Sequence, residues 1–140
     1  MVKQKIKEND LAVAFVAYED ANNGKKRPIF VAESSSSATM VLKITSQYAN
    51  KSPRIKKQLY EVKDWQRSGL AKPSWIDVSK IIKLSNKDFT LSKIGTLTTN
   101  DKRGLSSFID DYSKRERLKI LDQEKNLAYL NYLKNNGLER

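Results

Sequence analysis

The chain has 140 residues, 39% of them apolar and 31% charged, which suffices for one domain with a single modest core. Cysteine and histidine are both absent, which excludes disulfide bonds, thiolate metal sites and the acid–base or zinc chemistry that histidine usually supplies. The formal net charge of +11 attracts acidic partners, of which nucleic acid is the commonest, although a basic surface can also serve solubility alone.

The chain begins with polar residues and then alternates short apolar runs with turn sequences. The run at residues 11–18 predicts a buried strand, and the carboxylates and Asn-Gly pair at residues 19–24 predict a turn. Further strands are predicted at residues 29–33, 40–46, 58–65, 75–78, 80–84 and 89–97. The longest apolar run is far too short to span a bilayer and no signal-peptide core follows the basic start, so we expect a cytoplasmic protein without membrane contact.

After the last predicted strand the pattern becomes helical. Thr98 and Asp101 have the Ser/Thr-x-x-Asp spacing of a helix N-cap, and apolar residues follow at helical spacing: Leu105, Phe108, Ile109 and Tyr112. Residues 114–136 contain no proline or glycine and could form one apolar stripe: Ile120, Leu127, Leu130 and Leu133. Strands followed by helices favour a protein that is mainly β with α, either a small β-barrel or a sandwich with helical additions.

Standard catalytic motifs are absent from the sequence. There is no glycine-rich loop of the kinds that bind phosphates or dinucleotides, and without histidine a Ser-His-Asp triad cannot form. Asp110 and Asp111 are adjacent in a predicted helix, where neighbouring side chains point in different directions. We therefore interpret this pair as a solvated face and predict no metal site.

Four segments carry the most information: Gly24-Lys25-Lys26-Arg27-Pro28 before an apolar strand, a strand ending in Thr45-Ser46-Gln47, Gly69-Leu70-Ala71-Lys72-Pro73-Ser74-Trp75-Ile76, and Ile94-Gly95-Thr96-Leu97 before the capped helix. In this order and spacing they resemble the PemK/MazF-like toxins over residues 10–113. The remainder lies outside the resemblance. We therefore predict a barrel domain at residues 1–113 and a helical extension at residues 114–140.

The resemblance implies an SH3-like β-barrel with C-terminal helices that is usually a homodimer. It further implies a metal-independent, sequence-selective endoribonuclease that needs no cofactor, cleaves single-stranded RNA such as mRNA and is neutralised by an antitoxin protein. Matching positions make Arg27 and Thr45 the expected catalytic residues. The expected RNA-binding residues are Lys25, Lys26, Ser46, Gln47, Lys72 and Ser74.

The chemistry of RNA cleavage fits these residue types. The RNA 2′-hydroxyl can attack the adjacent phosphate, so a protein must position this attack and stabilise charge on the phosphoryl oxygens. Arginine offers a fork of donors that matches a phosphate, and a threonine hydroxyl adds one donor or acceptor. A proton acceptor is not evident, because arginine holds its proton far above neutral pH, which leaves water or a substrate group.

The sequence departs from the family pattern at two places. Asn9-Asp10 stands where the family commonly has Gly-Asp. The loop at residues 19–26 is short, although in the family this loop often covers the active site. Substrate selection is therefore the property that the resemblance predicts least well.

Other interpretations remain open, because the same barrel could bind nucleic acid without cutting it or present its basic surface to an acidic protein. Arg27 and Thr45 could equally be a surface arginine and an ordinary strand threonine. Trp65 and Trp75 are expected to be core or interface residues rather than base-stacking platforms. One basic loop is either solvated or in contact with an RNA backbone, through Lys51, Arg54, Lys56 and Lys57.

Overall fold

The computed structural model describes residues 6–16 and 27–116 of the chain. Within these ranges the strands, in chain order, are β1 Asp10–Val16, β2 Pro28–Ser34, β3 Ala38–Thr45, β4 Leu59–Glu61, β5 Trp75–Asp77, β6 Ile82–Ser85 and β7 Phe89–Thr96. A short helix, α1 (Pro53–Lys56), lies between β3 and β4, and a longer helix, α2 (99–116), follows β7. The strands thus occur in the predicted order, whereas α1 falls in a segment for which the sequence predicts a loop.

Strand β3 is the centre of the sheet. It pairs with β2 along one side and with β5 and β6 along the other, and all of these pairings are antiparallel. The order β4-β5-β3-β2-β1-β7, with β6 added at β3, leaves the sheet open between β4 and β7. The expected class, mainly β with a C-terminal helix, is confirmed, although "barrel" describes this open sheet only loosely.

The chain divides into two compact units, Met1–Ser106 and Ser107–Arg140. The first contains the sheet and the beginning of α2. The second is described only as far as residue 116, so the predicted apolar stripe of the extension lies outside the described residues. Helix α2 runs through Ser113 without a break, and the predicted domain division at that residue stays a prediction. No helix in the described ranges is long and apolar enough to cross a bilayer.

Strand β2 is covered on both of its faces. Successive strand residues point to opposite faces, yet Ile29, Phe30 and Val31 are all buried. On one face a cluster forms from Ala12, Ile29, Val31 and Val41. The fully buried side chains also include Leu11, Ile76 and Leu97. At about 1.5–3 kcal/mol for each buried side chain of this size, such burial is the main favourable contribution to folding.

The departure at Asn9-Asp10 is explained by the backbone at the start of β1. Asn9 has a φ of 74°, in the left-handed region, where glycine is favoured and asparagine is among the few other residues tolerated. Asp10 is fully buried and accepts hydrogen bonds from the Lys7 amide at 2.9 Å and the Thr96 hydroxyl at 3.0 Å. Its carboxylate also pairs with Lys93 at 3.4 Å. Asparagine can therefore stand at position 9, where the family commonly has glycine, and the Asp10 side chain still bonds to β7.

The predicted strand at residues 58–65 is wrong beyond Glu61. The chain turns after β4, because the Lys63 and Asp64 amides donate to the buried Asp101 carboxylate at 2.9 and 2.8 Å. These amides are consequently withdrawn from strand pairing. The alternating pattern of the segment is real, but a side chain nearly forty residues further along determines the backbone path.

Two glycines of the family-like segments lie against each other. Gly69 has a φ of 95°, and a Cβ at this position would collide with the Ile94 carbonyl. A Cβ at Gly95 would likewise collide with the Ser68 carbonyl. The close backbone approach explains why both segments contain glycine, since it brings the 69–76 loop against β7.

Candidate functional site

The start of β2 and the end of β3 lie side by side, at the same end of this pair of strands. The strands are antiparallel with Ile29 opposite Lys43, and Arg27 and Thr45, each two residues beyond this pair, line the same cleft. The Arg-Pro segment and the strand ending in threonine are therefore neighbours in space, as the predicted site requires.

A cleft of about 630 Å³ opens at this end of the β2–β3 pair. Its lining includes all predicted site residues that fall within the described ranges, namely Arg27, Thr45, Ser46, Gln47, Lys72 and Ser74. Lys25 and Lys26 lie outside the described residues. Lys51 supplies a third cation, and the described lining contains no carboxylate, so the cleft is suited to an anion.

The two expected catalytic side chains differ in how firmly they are held. The Thr45 hydroxyl accepts a hydrogen bond from the Gln47 amide at 3.0 Å, which fixes the oxygen and leaves the hydroxyl proton to donate into the cleft. Arg27 is exposed, and no salt bridge within residues 6–16 and 27–116 involves it. Its guanidinium can therefore turn towards a phosphate.

Ser74 occupies a more restricted position than the sequence suggests. Its side chain is buried, with a relative exposure of 4%, and its hydroxyl donates to the Lys72 carbonyl at 2.8 Å. Because that proton is already used, the Ser74 oxygen can only accept a further hydrogen bond. Ser74 thus shapes the loop that presents Lys72, and its contact with RNA stays a prediction.

An adjoining cleft of about 530 Å³ shares Arg27, Thr45 and Lys51 and adds a carboxylate, Asp77. Asp77 accepts hydrogen bonds from the Ser79 hydroxyl at 2.6 Å, from the Ser79 amide at 2.9 Å and from the Gln58 amide group at 3.4 Å. Three neighbouring donors hold the carboxylate in place. In the described part of the chain no set of three carboxylates is grouped as a metal site would require.

Sequence reasoning missed Asp77, because nothing in its local sequence marks it. Its position depends on the pairing of β5 with β3, in which Trp75 lies opposite Thr45. Asp77 is two residues further along β5 and so shares a face with Trp75 and Thr45. The position of the Asp77 carboxylate can be predicted only when the register between β3 and β5 is known.

The chain forms an open antiparallel sheet followed by a capped helix, with a cationic cleft at the end of the β2–β3 pair. This is the fold of the PemK/MazF-like toxins. Among solved structures the chain is similar to the Mycobacterium tuberculosis toxin MazF-mt6, with 17% sequence identity and a TM-score of 0.53. The match covers 73% of this chain and 93% of that one. No protein-family model and no curated protein matches the sequence. The similarity in three dimensions confirms the predicted fold.

Proposed function

We propose that this protein is a sequence-selective endoribonuclease toxin that cleaves single-stranded RNA without a metal ion. The observation that carries the proposal is the cleft that Arg27 and Thr45 both line, with Lys51 and Lys72 also in its lining. Cations and a positioned hydroxyl in a cleft whose described lining has no carboxylate suit the phosphate backbone of RNA. The MazF toxin similar in fold supports the proposal.

Cleavage would use the nucleophile that RNA itself carries. The 2′-oxygen attacks the adjacent phosphorus, the bond from phosphorus to the 5′-oxygen breaks, and the departing 5′-oxygen takes a proton from water. The products are a 2′,3′-cyclic phosphate and a 5′-hydroxyl. Arg27 binds the non-bridging oxygens and stabilises the charge that develops on them. The Thr45 hydroxyl donates to one of these oxygens, and Lys51 holds a neighbouring phosphate.

The proton of the attacking 2′-hydroxyl needs an acceptor, and we assign it to Asp77. This carboxylate lines the cleft that also contains Arg27 and Thr45. A carboxylate can accept the proton directly or through one water, whereas the arginine guanidinium cannot. Ser79 and Gln58 fix its orientation, as a general base requires.

Partners follow from the same proposal. The substrate is single-stranded RNA such as mRNA, whose phosphates complement the net charge of +11. We further propose that an antitoxin protein neutralises the toxin, that the active form is a homodimer and that the protein acts in the cytoplasm. These proposals are supported by the likeness in fold to the MazF toxin.

The first experiment is cleavage of a long single-stranded RNA in the presence of EDTA, with wild-type protein, Arg27→Ala and Arg103→Ala. Wild type and Arg103→Ala, which removes an exposed arginine on α2, are expected to cleave equally. Arg27→Ala is expected to be slower by about 10²-fold or more, because it removes the charged phosphate ligand. Circular dichroism should show that all three proteins are folded.

The outcomes separate the functions that the sequence leaves open. RNA binding without cleavage would indicate a nucleic-acid-binding module on the same fold, and no RNA binding would favour an acidic protein partner. Activity that requires added magnesium would contradict the metal-independent mechanism. Equal rates for Arg27→Ala and wild type would show that the assigned site is wrong.

A further inference from the structure

A stacked aromatic pair lies beside the candidate catalytic threonine. The Tyr48 and Trp75 rings are 4.7 Å apart between centroids with an interplanar angle of 9°. The Lys56 ammonium lies over the Tyr48 ring, 5.0 Å from its centroid. Both aromatic residues are half-buried, so part of the stack faces solvent.

The stack is joined to the candidate site through the β3–β5 pairing. Thr45 in β3 stands opposite Trp75 in β5, and Arg27 lines the same cleft as Thr45. The Thr45 and Trp75 side chains therefore point to the same face, at a spacing of about 5 Å between neighbouring strands. Tyr48 lies in the loop after Thr45, and its carbonyl accepts a hydrogen bond from the Lys51 amide at 3.0 Å.

Core packing accounts for Trp75 only in part, because its side chain is half-buried. Its neighbour Ile76 is fully buried and points to the opposite face of β5. The cross-strand neighbour of Trp75 on the β4 side is Glu61, which is exposed. The same face also carries the buried Leu59, but Trp75 itself is only half-buried and lies between an acidic residue and the proposed phosphate site.

We propose that the outer face of Trp75, the face turned away from Tyr48, is a nucleobase-binding subsite that receives an unpaired RNA base next to the cleaved phosphate. This inference rests on the proposed function, because Arg27 and Thr45 must hold the phosphate. Single-stranded RNA is bound by aromatic faces beside cations, since every base offers a face for stacking. The Lys56 ammonium adds a charge that attracts the backbone on the far side of Tyr48.

The test uses short RNA oligonucleotides in which every 2′-hydroxyl is methylated, so that they bind but cannot be cleaved. One base at a time is removed by an abasic substitution, and the dissociation constant is measured by fluorescence anisotropy. For the wild-type protein, loss of one particular base is expected to weaken binding by about tenfold or more, the effect of losing one stacked base. Loss of bases elsewhere should have smaller effects.

Variants of the two stacked residues test whether the sensitive base binds at the stack. In Trp75→Leu the sensitive base is expected to lose its effect, because its stacking partner is gone, and in Tyr48→Leu the effect should be reduced, because the Trp75 ring loses the side chain that supports it. Tyr48→Phe retains a ring and should retain the sensitivity. Phe89→Leu removes a half-buried aromatic ring at the start of β7 and serves as the matched control, with the wild-type pattern. Thermal unfolding checks that each variant is folded.

The results distinguish this inference from the function on which it rests. If wild type binds the oligonucleotides but all abasic positions are equivalent, the subsite does not exist, whatever the variants do. If one base matters equally in wild type, Tyr48→Leu and Trp75→Leu, it binds elsewhere and the inference is wrong. If no oligonucleotide binds and long RNA is not cleaved, the proposed function itself fails.

Discussion

Arg27 and Thr45 line the same cleft, but they are expected to contribute unequally to cleavage. A neutral hydroxyl forms a weaker hydrogen bond than a charged and bidentate guanidinium. We therefore predict that Thr45→Ala slows cleavage by about tenfold, less than Arg27→Ala does. Thr45→Ser should restore part of the rate, and Thr90→Ala, which alters an exposed strand threonine, should have no effect. Single-turnover rates decide this, and the reverse order would contradict the assignment.

We propose Asp77 for the role of proton acceptor, for which the sequence supplies no candidate. If its carboxylate takes the 2′-hydroxyl proton, Asp77→Asn should slow single-turnover cleavage by about 10²-fold or more, because the amide cannot accept that proton. Binding of 2′-O-methyl RNA should not weaken, since the substitution removes a negative charge. Asp88→Asn, in an exposed turn, is the control. A wild-type rate for Asp77→Asn would assign proton removal to water or to the substrate.

At the level of elements, a buried polar network joins the start of α2 to the turn after β4. The Asp101 carboxylate accepts a hydrogen bond from the Tyr60 hydroxyl at 2.6 Å and from the Lys63 and Asp64 amides. Thr98 caps the helix by accepting from the Asp101 amide at 3.3 Å and donates to Asp64 at 2.8 Å. The helix cap that the sequence predicts is therefore also a tertiary anchor.

This network predicts how stability depends on alkaline pH. Burial, then the hydrogen bond to Asp101 and the nearby negative charges, raise the pKa of Tyr60 above its ordinary value of 10.0. The raised pKa stabilises the folded protein below pH 10.0, and this contribution is lost as pH rises through the folded-state pKa, because the unfolded tyrosine ionises first. Tyr60→Phe should lower the free energy of unfolding at neutral pH by about 1–3 kcal/mol.

Urea unfolding between neutral pH and pH 11 provides the measurement. The wild-type free energy of unfolding should fall more steeply above pH 10.0 than that of Tyr60→Phe, so that the difference between the two proteins narrows. Parallel curves over this range would show that the Tyr60 proton is not linked to folding.

On the scale of the whole molecule, the open sheet leaves apolar surface incompletely covered. Ile6, Ile82, Leu84 and Leu91 pack on the sheet cluster but are only partly buried. Ile81 and Ile55 have relative exposures of 63% and 38%. We propose that these side chains contribute to the interface of a homodimer, where contact with a second copy would shield them from water.

Light scattering at micromolar concentration should therefore give twice the monomer mass of 16.1 kDa. The dimer should persist at about 1 M salt, because apolar contacts, unlike contacts between exposed charges, are not screened. A mass of 16.1 kDa at all concentrations would contradict the proposal. Dissociation by salt alone would indicate an electrostatic interface instead of an apolar one.

Local sequence was sufficient for the order of the strands and for the start of α2. Short apolar runs bounded by turn residues identify strands, because a half-buried strand needs side chains that alternate with its two faces. Thr98 and Asp101 identify the helix start, because a cap satisfies backbone amides within a few residues of itself. The family-like segments likewise named Arg27 and Thr45, each on its own stretch of chain.

The sequence by itself therefore determined the class of fold and the basic character, which depend on interactions between near neighbours or on composition, whereas the candidate cleft residues came from the family resemblance. Tertiary structure decided that β4 ends at Glu61, because the Lys63 and Asp64 amides donate hydrogen bonds to the Asp101 carboxylate. It also decided that Asp77, Tyr48 and Trp75 join Arg27 and Thr45, because strand register is a pairing between distant segments that no local pattern encodes. A site built across strands becomes visible only when that pairing is known.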